Sequence, residues 1–144
     1  MRVGLVGCVK SKLGHPAAAK VLYVSTLFRG RRMAVEATCD DWYILSAKHG
    51  LLDPNETIDP YDVALKNLSR AERRSWSHDV VESLEQRLGD LSDTTFEMHA
   101  GAEYRDFGLV DRLRGTGASV EIPTQGLTFG EQLSFYKSLE ISGN

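Results

Sequence analysis

Apolar residues recur along this chain in two alternating rhythms, short β-rich runs and longer stripes at helical spacing. Residues 2–7, RVGLVG, are a β-branched run closed by a glycine and predict an opening strand. Residues 8–15, CVKSKLGH, have no period and predict a loop. Pro16 is placed to open a helix, and residues 17–35 continue it with Val21, Leu22, Leu27 or Phe28, and Val35 at helical spacing. Ser25 and Gly30 are the points where that helix could divide. Tyr43, Ile44 and Leu45 form a second buried strand, and the polar, proline-punctuated stretch after it predicts an ordered loop reaching Asp62.

The second half repeats the alternation. Ser69 with Glu72 makes a capping box, opening a helix that carries Trp76, Val80, Leu84 and Leu88 on one face and ends near Gly89. Residues 94–99, TTFEMH, alternate as a strand. Residues 103–113 read as a helix stopped by Gly115 and Gly117, residues 118–122 as a last strand, and residues 128–139 as a closing helix. Strands alternating with helices imply βαβ units with right-handed crossovers. The expected fold is therefore one α/β domain over residues 1–144: three layers, with a small, mainly parallel sheet of about four strands and helices on both faces.

Composition narrows the setting. The 144 residues suffice for one core, and the apolar fraction of 42% is ordinary for a globular protein. No run approaches the ~18 apolar residues of a membrane span, and the first residues are too short for a signal peptide, so a cytoplasmic location without membrane contact is expected. Cys8 and Cys39 lack CxxC spacing and read as reduced thiols. The net charge is −3, yet residues 1–37 carry Arg2, Lys10, Lys12, Lys20, Arg29, Arg31 and Arg32 against Glu36 alone. A basic end of this kind can meet phosphates, although a solvated helix face accounts for it equally well.

In a parallel sheet all strand ends point one way, which gathers candidate chemistry on one rim. Four clusters fall at predicted strand ends: Cys8 with Lys10 and Lys12; Ser46 with Lys48 and His49; Ala100, Gly101 and Tyr104; and Pro123 with Gln125 and Gly126. The first has phosphate-cradle composition but not the GxxxxGK[ST] order, so it is no P-loop. His49 titrates near neutrality and could act as acid or base, although a loop histidine is more often merely exposed. Ser46 lacks the GxSxG elbow and a visible acid partner. Cys8 beside lysines could be a nucleophile, or simply a small buried hydrophobe. Asp59 and Asp62 flank Pro60 and Tyr61, where a rigidly held carboxylate could orient a ribose hydroxyl or activate water, or just cap a turn. No set of ligand-type residues has metal spacing, and no cofactor is implied.

The stretch ILSAKHGLLDPNETIDPYDVAL resembles the core motif of the YaaA family, peroxide-stress proteins. That motif runs from a strand through a short glycine-bearing turn to GLL, a proline, an isoleucine and a PY pair. Here those features stand at Leu45, Ser46, Gly50, Leu51, Leu52, Pro54, Ile58, Pro60 and Tyr61. The opening GCVKSK, the AGxxY of residues 100–104 and the closing stretch with GEQL resemble a branch of small bacterial relatives of YaaA. The resemblance implies a connection with nucleic acids or their components, since YaaA proteins are associated with DNA binding and protection from oxidative damage.

Two main functions follow as expectations. The first is an N-glycosidase-like enzyme acting on a nucleotide or nucleic-acid base. Lys10 and Lys12 hold a phosphate, Tyr104 or Tyr61 stacks on the base, and His49 or Asp62, with Ser46 as a third candidate, assists bond cleavage or exchange. Cys8, Lys48, Gly50, Gly101 and Gln125 complete the expected binding set. The second is a non-catalytic nucleic-acid or nucleotide-binding module, linked to DNA damage or oxidative stress, that would use the basic N-terminal third and show strong salt dependence. A protein-interaction subunit whose rim is vestigial is a third reading.

Overall fold

A computed structural model of the chain describes residues 1–142. Strand β1 (Arg2–Gly7) is buried from Val3 onward on both faces, as a central parallel strand requires. Beyond the following loop the backbone departs from the expected long helix. It forms β2 (Ala17–Ala18), one turn of helix α1 (Ala19–Leu22), and an extended Tyr23 before α2 (Thr26–Thr38) begins. The amides of Ala19 and Lys20 donate to the carbonyls of Glu56 and Pro54 at 2.8 and 2.9 Å. Long-range pairing has taken backbone groups that a helix would have used internally. Ser25 caps α2 by accepting from the Phe28 amide at 3.0 Å, so the division expected at that residue exists. Gly30 does not divide the helix. A Cβ there would stand 2.6 Å from that of Tyr136, and the glycine instead lets the last helix approach.

Strand β3 (Asp41–Ser46) is followed by β4 (Gly50–Leu52), which folds back on it, and by β5 (Thr57–Ile58), which pairs antiparallel with β2. The segment expected as a loop thus supplies a strand to the main sheet, with Gly50 at φ +70° completing the turn. After a single 3-10 turn at Leu65–Asn67 comes α3 (Arg70–Leu88), opened by the predicted capping box. Ser69 Oγ accepts from the Glu72 amide at 3.1 Å, and the Glu72 carboxylate accepts from the Ser69 amide at 3.2 Å. Strand β6 (Thr95–His99) leads to two helices where one was expected, α4 (Ala102–Arg105) and α5 (Leu109–Gly115). They separate at Phe107 and Gly108, both at positive φ, with the Phe107 ring held under the Arg73 guanidinium at 4.6 Å. The chain closes with β7 (Ser119–Glu121) and α6 (Phe129–Ser142), whose Thr128 and Glu131 form a second capping box.

The main sheet runs β4-β3-β1-β6-β7, parallel except at the β3–β4 edge. It has five strands rather than four. Helix α2 packs on β1 and β3 and against α6, while α3 packs on β4 and against α5. Two glycines of β1 admit these neighbours: a Cβ at Gly4 would meet Val35 of α2 at 2.5 Å, and one at Gly7 would meet Ala100 at 2.9 Å. The result is a mixed α/β structure with one hydrophobic cluster reaching from Val3 to Val120. Among the described residues, no helix is long and apolar enough to cross a membrane.

Candidate active site

The Cys8 amide still donates to the Leu45 carbonyl at 3.1 Å, which delivers the Cys8 side chain to the carboxyl end of β1. A cleft of about 620 Å³ opens there. Its walls come from four parts of the chain: Cys8, Lys10 and Lys12 after β1; Leu27 and Arg31, one turn apart on α2; residues 62–67; and Glu103 with Tyr104 on α4. Lys10, Lys12, Lys66 and Arg31 face Asp62 and Glu103, so the lining is two charges positive in a chain whose net charge is −3.

Arg31 differs from the other charged wall residues in being buried, at 4% exposed. Its Nη1 donates to the Gly7 carbonyl at 3.2 Å, while its Nε has no hydrogen-bond partner among the described residues. Burial pulls the guanidinium pKa down, and the neighbouring Tyr136 and Glu103 pull it back up. Asp62 is exposed and accepts no hydrogen bond among the described residues. The Tyr104 hydroxyl lies 2.8 Å from Cys8 Sγ and its ring meets Trp76 edge-on at 5.7 Å. Burial first, and then the adjacent Cys8, raises the Tyr104 pKa far above the usual phenol range, so this hydroxyl stays protonated.

Beside the cleft runs a chain of hydroxyls. Tyr23 Oη lies 2.5 Å from Tyr61 Oη, which in turn lies 2.7 Å from Ser46 Oγ. Ser46 is fully buried, accepts from the His49 amide at 3.1 Å, and its carbonyl accepts from Trp76 Nε1 at 2.9 Å. Burial raises the pKa of both tyrosines. Neutral rings suit cations, and Lys12 stands 4.6 Å from the Tyr61 ring centre and 5.6 Å from that of Tyr23. Lys48 approaches Tyr61 at 5.8 Å, and the exposed His49 ring meets it edge-on at 5.3 Å.

With that geometry in place, one comparison is decisive: residues 3–138 match a family of unknown function (DUF6884). The chain belongs to that family. No curated protein and no solved structure matches it. The DUF6884 match spans every wall of the cleft.

Of the residues singled out from sequence, Cys8, Lys10, Lys12, Asp62 and Tyr104 line this DUF6884 cleft. Ser46, Lys48, His49 and Tyr61 form the adjoining cluster, joined to it through Lys12. Ser46 is fully buried with its hydroxyl engaged by Tyr61 and the His49 amide, and neither it nor His49 lines the cleft. Gly50 serves the β3–β4 turn, and Gly101 is the residue before α4. Gln125 is not brought in. It lies in a separate depression with Arg105, Asp106 and Arg114, next to β7 at the far edge of the sheet. Three strand-end clusters therefore converge, and the fourth does not. Ligand-type side chains come within metal-binding reach of one another at His78, Asp79 and Glu82, which are exposed on α3 and line no part of the cleft.

Glu103 and Lys66 join the cleft without having stood out in sequence, and Arg31 stood out only as one cation of the basic N-terminal third. A signal for Arg31 was present, because it shares the apolar stripe of α2 with Phe28 and Val35 at helical spacing. A second polar cluster also escaped notice. Glu97 takes His99 Nε2 at 2.7 Å, Arg2 Nε at 2.8 Å and Thr38 Oγ1 at 3.1 Å, and His99 Nδ1 lies 2.6 Å from the Tyr136 hydroxyl.

Proposed function

We propose that this chain acts on a nucleotide or nucleic-acid base, cleaving or exchanging an N-glycosidic bond. The observation that carries the reading is the placement of Asp62, a carboxylate without a hydrogen-bond partner among the described residues, in one cleft with Lys10 and Lys12. The lysines hold the phosphate. The Asp62 carboxylate stabilises the oxocarbenium-like transition state and takes a proton from the attacking water. Tyr104 contributes a neutral aromatic wall for the base. The likeness of residues 44–65 to the YaaA motif directs the choice toward nucleic-acid components. In the same reading the sheet is the middle of three layers, supported by Gly4 facing α2 while Gly7 faces Tyr104 and, through it, Trp76 of α3. The free thiols of Cys8 and Cys39 favour a cytoplasmic setting.

The test is a mass-spectrometric screen for base release from pooled nucleosides, nucleoside monophosphates and modified DNA, with Asp62→Asn and His49→Ala alongside. Free base with the wild type and none with Asp62→Asn supports the reading; no release from any pool overturns it. A second reading, a non-catalytic nucleotide- or nucleic-acid-binding module, is favoured by one observation. With Ser46 engaged and His49 outside the cleft, neither of the other catalytic candidates read from the sequence joins Asp62 there. Saturable binding of labelled nucleotides or DNA, weakened by salt and without turnover, would support that alternative.

A further inference from the structure

We propose that Arg31 is the buried anchor of a phosphate subsite in the cleft, with Lys10 and Lys12 closing over the bound group. This deepens the function above, resting on the same cleft, and names the group by which the substrate is gripped. An arginine that is 4% exposed should be paired, because burying a lone charge is costly. Arg31 makes no ion pair among the described residues. Glu103, on the α4 wall of the same cleft, makes no ion pair with it and instead lies over Gly101, where a Cβ would meet its carboxylate at 2.6 Å.

The guanidinium is nevertheless held in place. Its Nη1 is tied to the Gly7 carbonyl at the end of the central strand, and the edge carrying Nε is left without a partner. A guanidinium fixed at Nη1, beside Tyr136 and with donor capacity at Nε unmet, lacks only a small shift to make two parallel hydrogen bonds to an oxyanion. The surplus of two positive charges in the lining matches a phosphomonoester dianion better than a carboxylate or a phosphodiester, each singly charged. Lys10 is exposed and can follow the ligand, while Lys12, resting over Tyr61, is already placed.

The competing explanation is that Arg31 is only a clamp on the Gly7 carbonyl, and the two roles predict opposite thermal behaviour. Arg31→Met keeps the unbranched stem out to the level of Nε and removes a desolvated charge. Wild type, Arg31→Met and Arg31→Lys are melted and titrated with inorganic phosphate at constant ionic strength, then with four 5′-mononucleotides, the matching nucleosides and a dinucleoside phosphodiester. Phosphate and mononucleotides should raise the wild-type melting temperature saturably, while nucleosides and the diester should not. Arg31→Met should melt no lower than wild type and bind phosphate about tenfold more weakly or worse, with Arg31→Lys in between. Equal phosphate affinity in wild type and Arg31→Lys, or no saturable response in wild type, overturns the proposal, as does a lower-melting Arg31→Met that still binds. If Arg31→Met does not fold, the Arg31→Lys affinity decides alone. Phosphate binding without base release would leave this subsite standing and sink the glycosidic reading. Base release from nucleosides and nucleotides alike, unchanged in Arg31→Lys, would do the reverse.

Discussion

Glu97 and Arg31 are both charged and both buried, at 6% and 4% exposed, and the fold serves them very differently. Glu97 is enclosed by Arg2, Thr38 and His99, and His99 is held in turn by Tyr136. Arg31 keeps one backbone carbonyl and an Nε with no partner. A buried charge met by donors at both of its oxygens ties elements together, here β1, β6, α2 and α6. One left half-met marks a place where something outside the chain belongs.

The largest effect that tests this contrast is Glu97→Ala. Removing one partner from a buried ionic cluster leaves Arg2 and His99 facing an empty site, and about 3–5 kcal/mol of unfolding free energy should disappear. Urea denaturation measures it beside Arg31→Met, which should lose little or gain. Equal losses in the two variants would erase the distinction.

Acid should reach the same cluster from another direction. Burial pushes the Glu97 carboxyl up, but hydrogen bonds from His99 and Arg2 outweigh it and hold the group down at about 2, against an ordinary value of 4.5. The native state therefore binds this proton less readily than the unfolded chain. Its stabilisation is whole above pH 4.5 and is lost as pH falls toward 2, with a slope approaching about 1.4 kcal/mol per pH unit. Stability curves between pH 6 and the acid limit, run against Glu97→Ala, should show that fall in the wild type and not in the variant.

A smaller effect is expected at the edge of the cleft. Tyr61→Phe takes one hydroxyl from a chain in which Tyr23 and Ser46 both rely on it, while Ser46 keeps its bond from the His49 amide. Loss of about 1–2 kcal/mol in denaturant, together with a reduced grip of Lys12, would class this cluster with Glu97 as scaffold. No loss would class it with Arg31.

Why one of these regions was legible in sequence and the other was not has a physical reason. The Ser69–Glu72 capping box could be read because everything that decides it lies within four residues. The helix expected from residue 17 failed because its backbone groups are claimed by Glu56 and Pro54, far along the chain. The alternation in TTFEMH correctly sorted Phe96 and Met98 from Glu97 and His99. It could not say that the polar face would also be covered, because the cover, Tyr136 of α6, arrives from the other end of the sequence. Cys8, Lys10, Lys12 and Tyr104 meet as their strand-end positions predict because β1 is central. Gln125 stands apart because a sheet five strands wide has a rim wider than one ligand. Arg31 was legible as a cation of the basic N-terminal third, and its place on the apolar stripe of α2 with Phe28 and Val35 is what sets it apart from the other cations there.

The smallest structural effect should come with the largest functional one. Asp62 is exposed and unbonded among the described residues, so Asp62→Asn should shift stability by no more than about 0.5 kcal/mol. Base release, however, should vanish with the carboxylate. The same variant separates the two functional readings by turnover alone, because removing a negative charge from a lining with a surplus of cations favours anion binding in either case. If the protein only binds, Asp62→Asn should hold phosphate as tightly as wild type or more tightly, with nothing lost. If it is catalytic, affinity should be kept or improved while turnover disappears, and a paired titration and product assay on one preparation reads both.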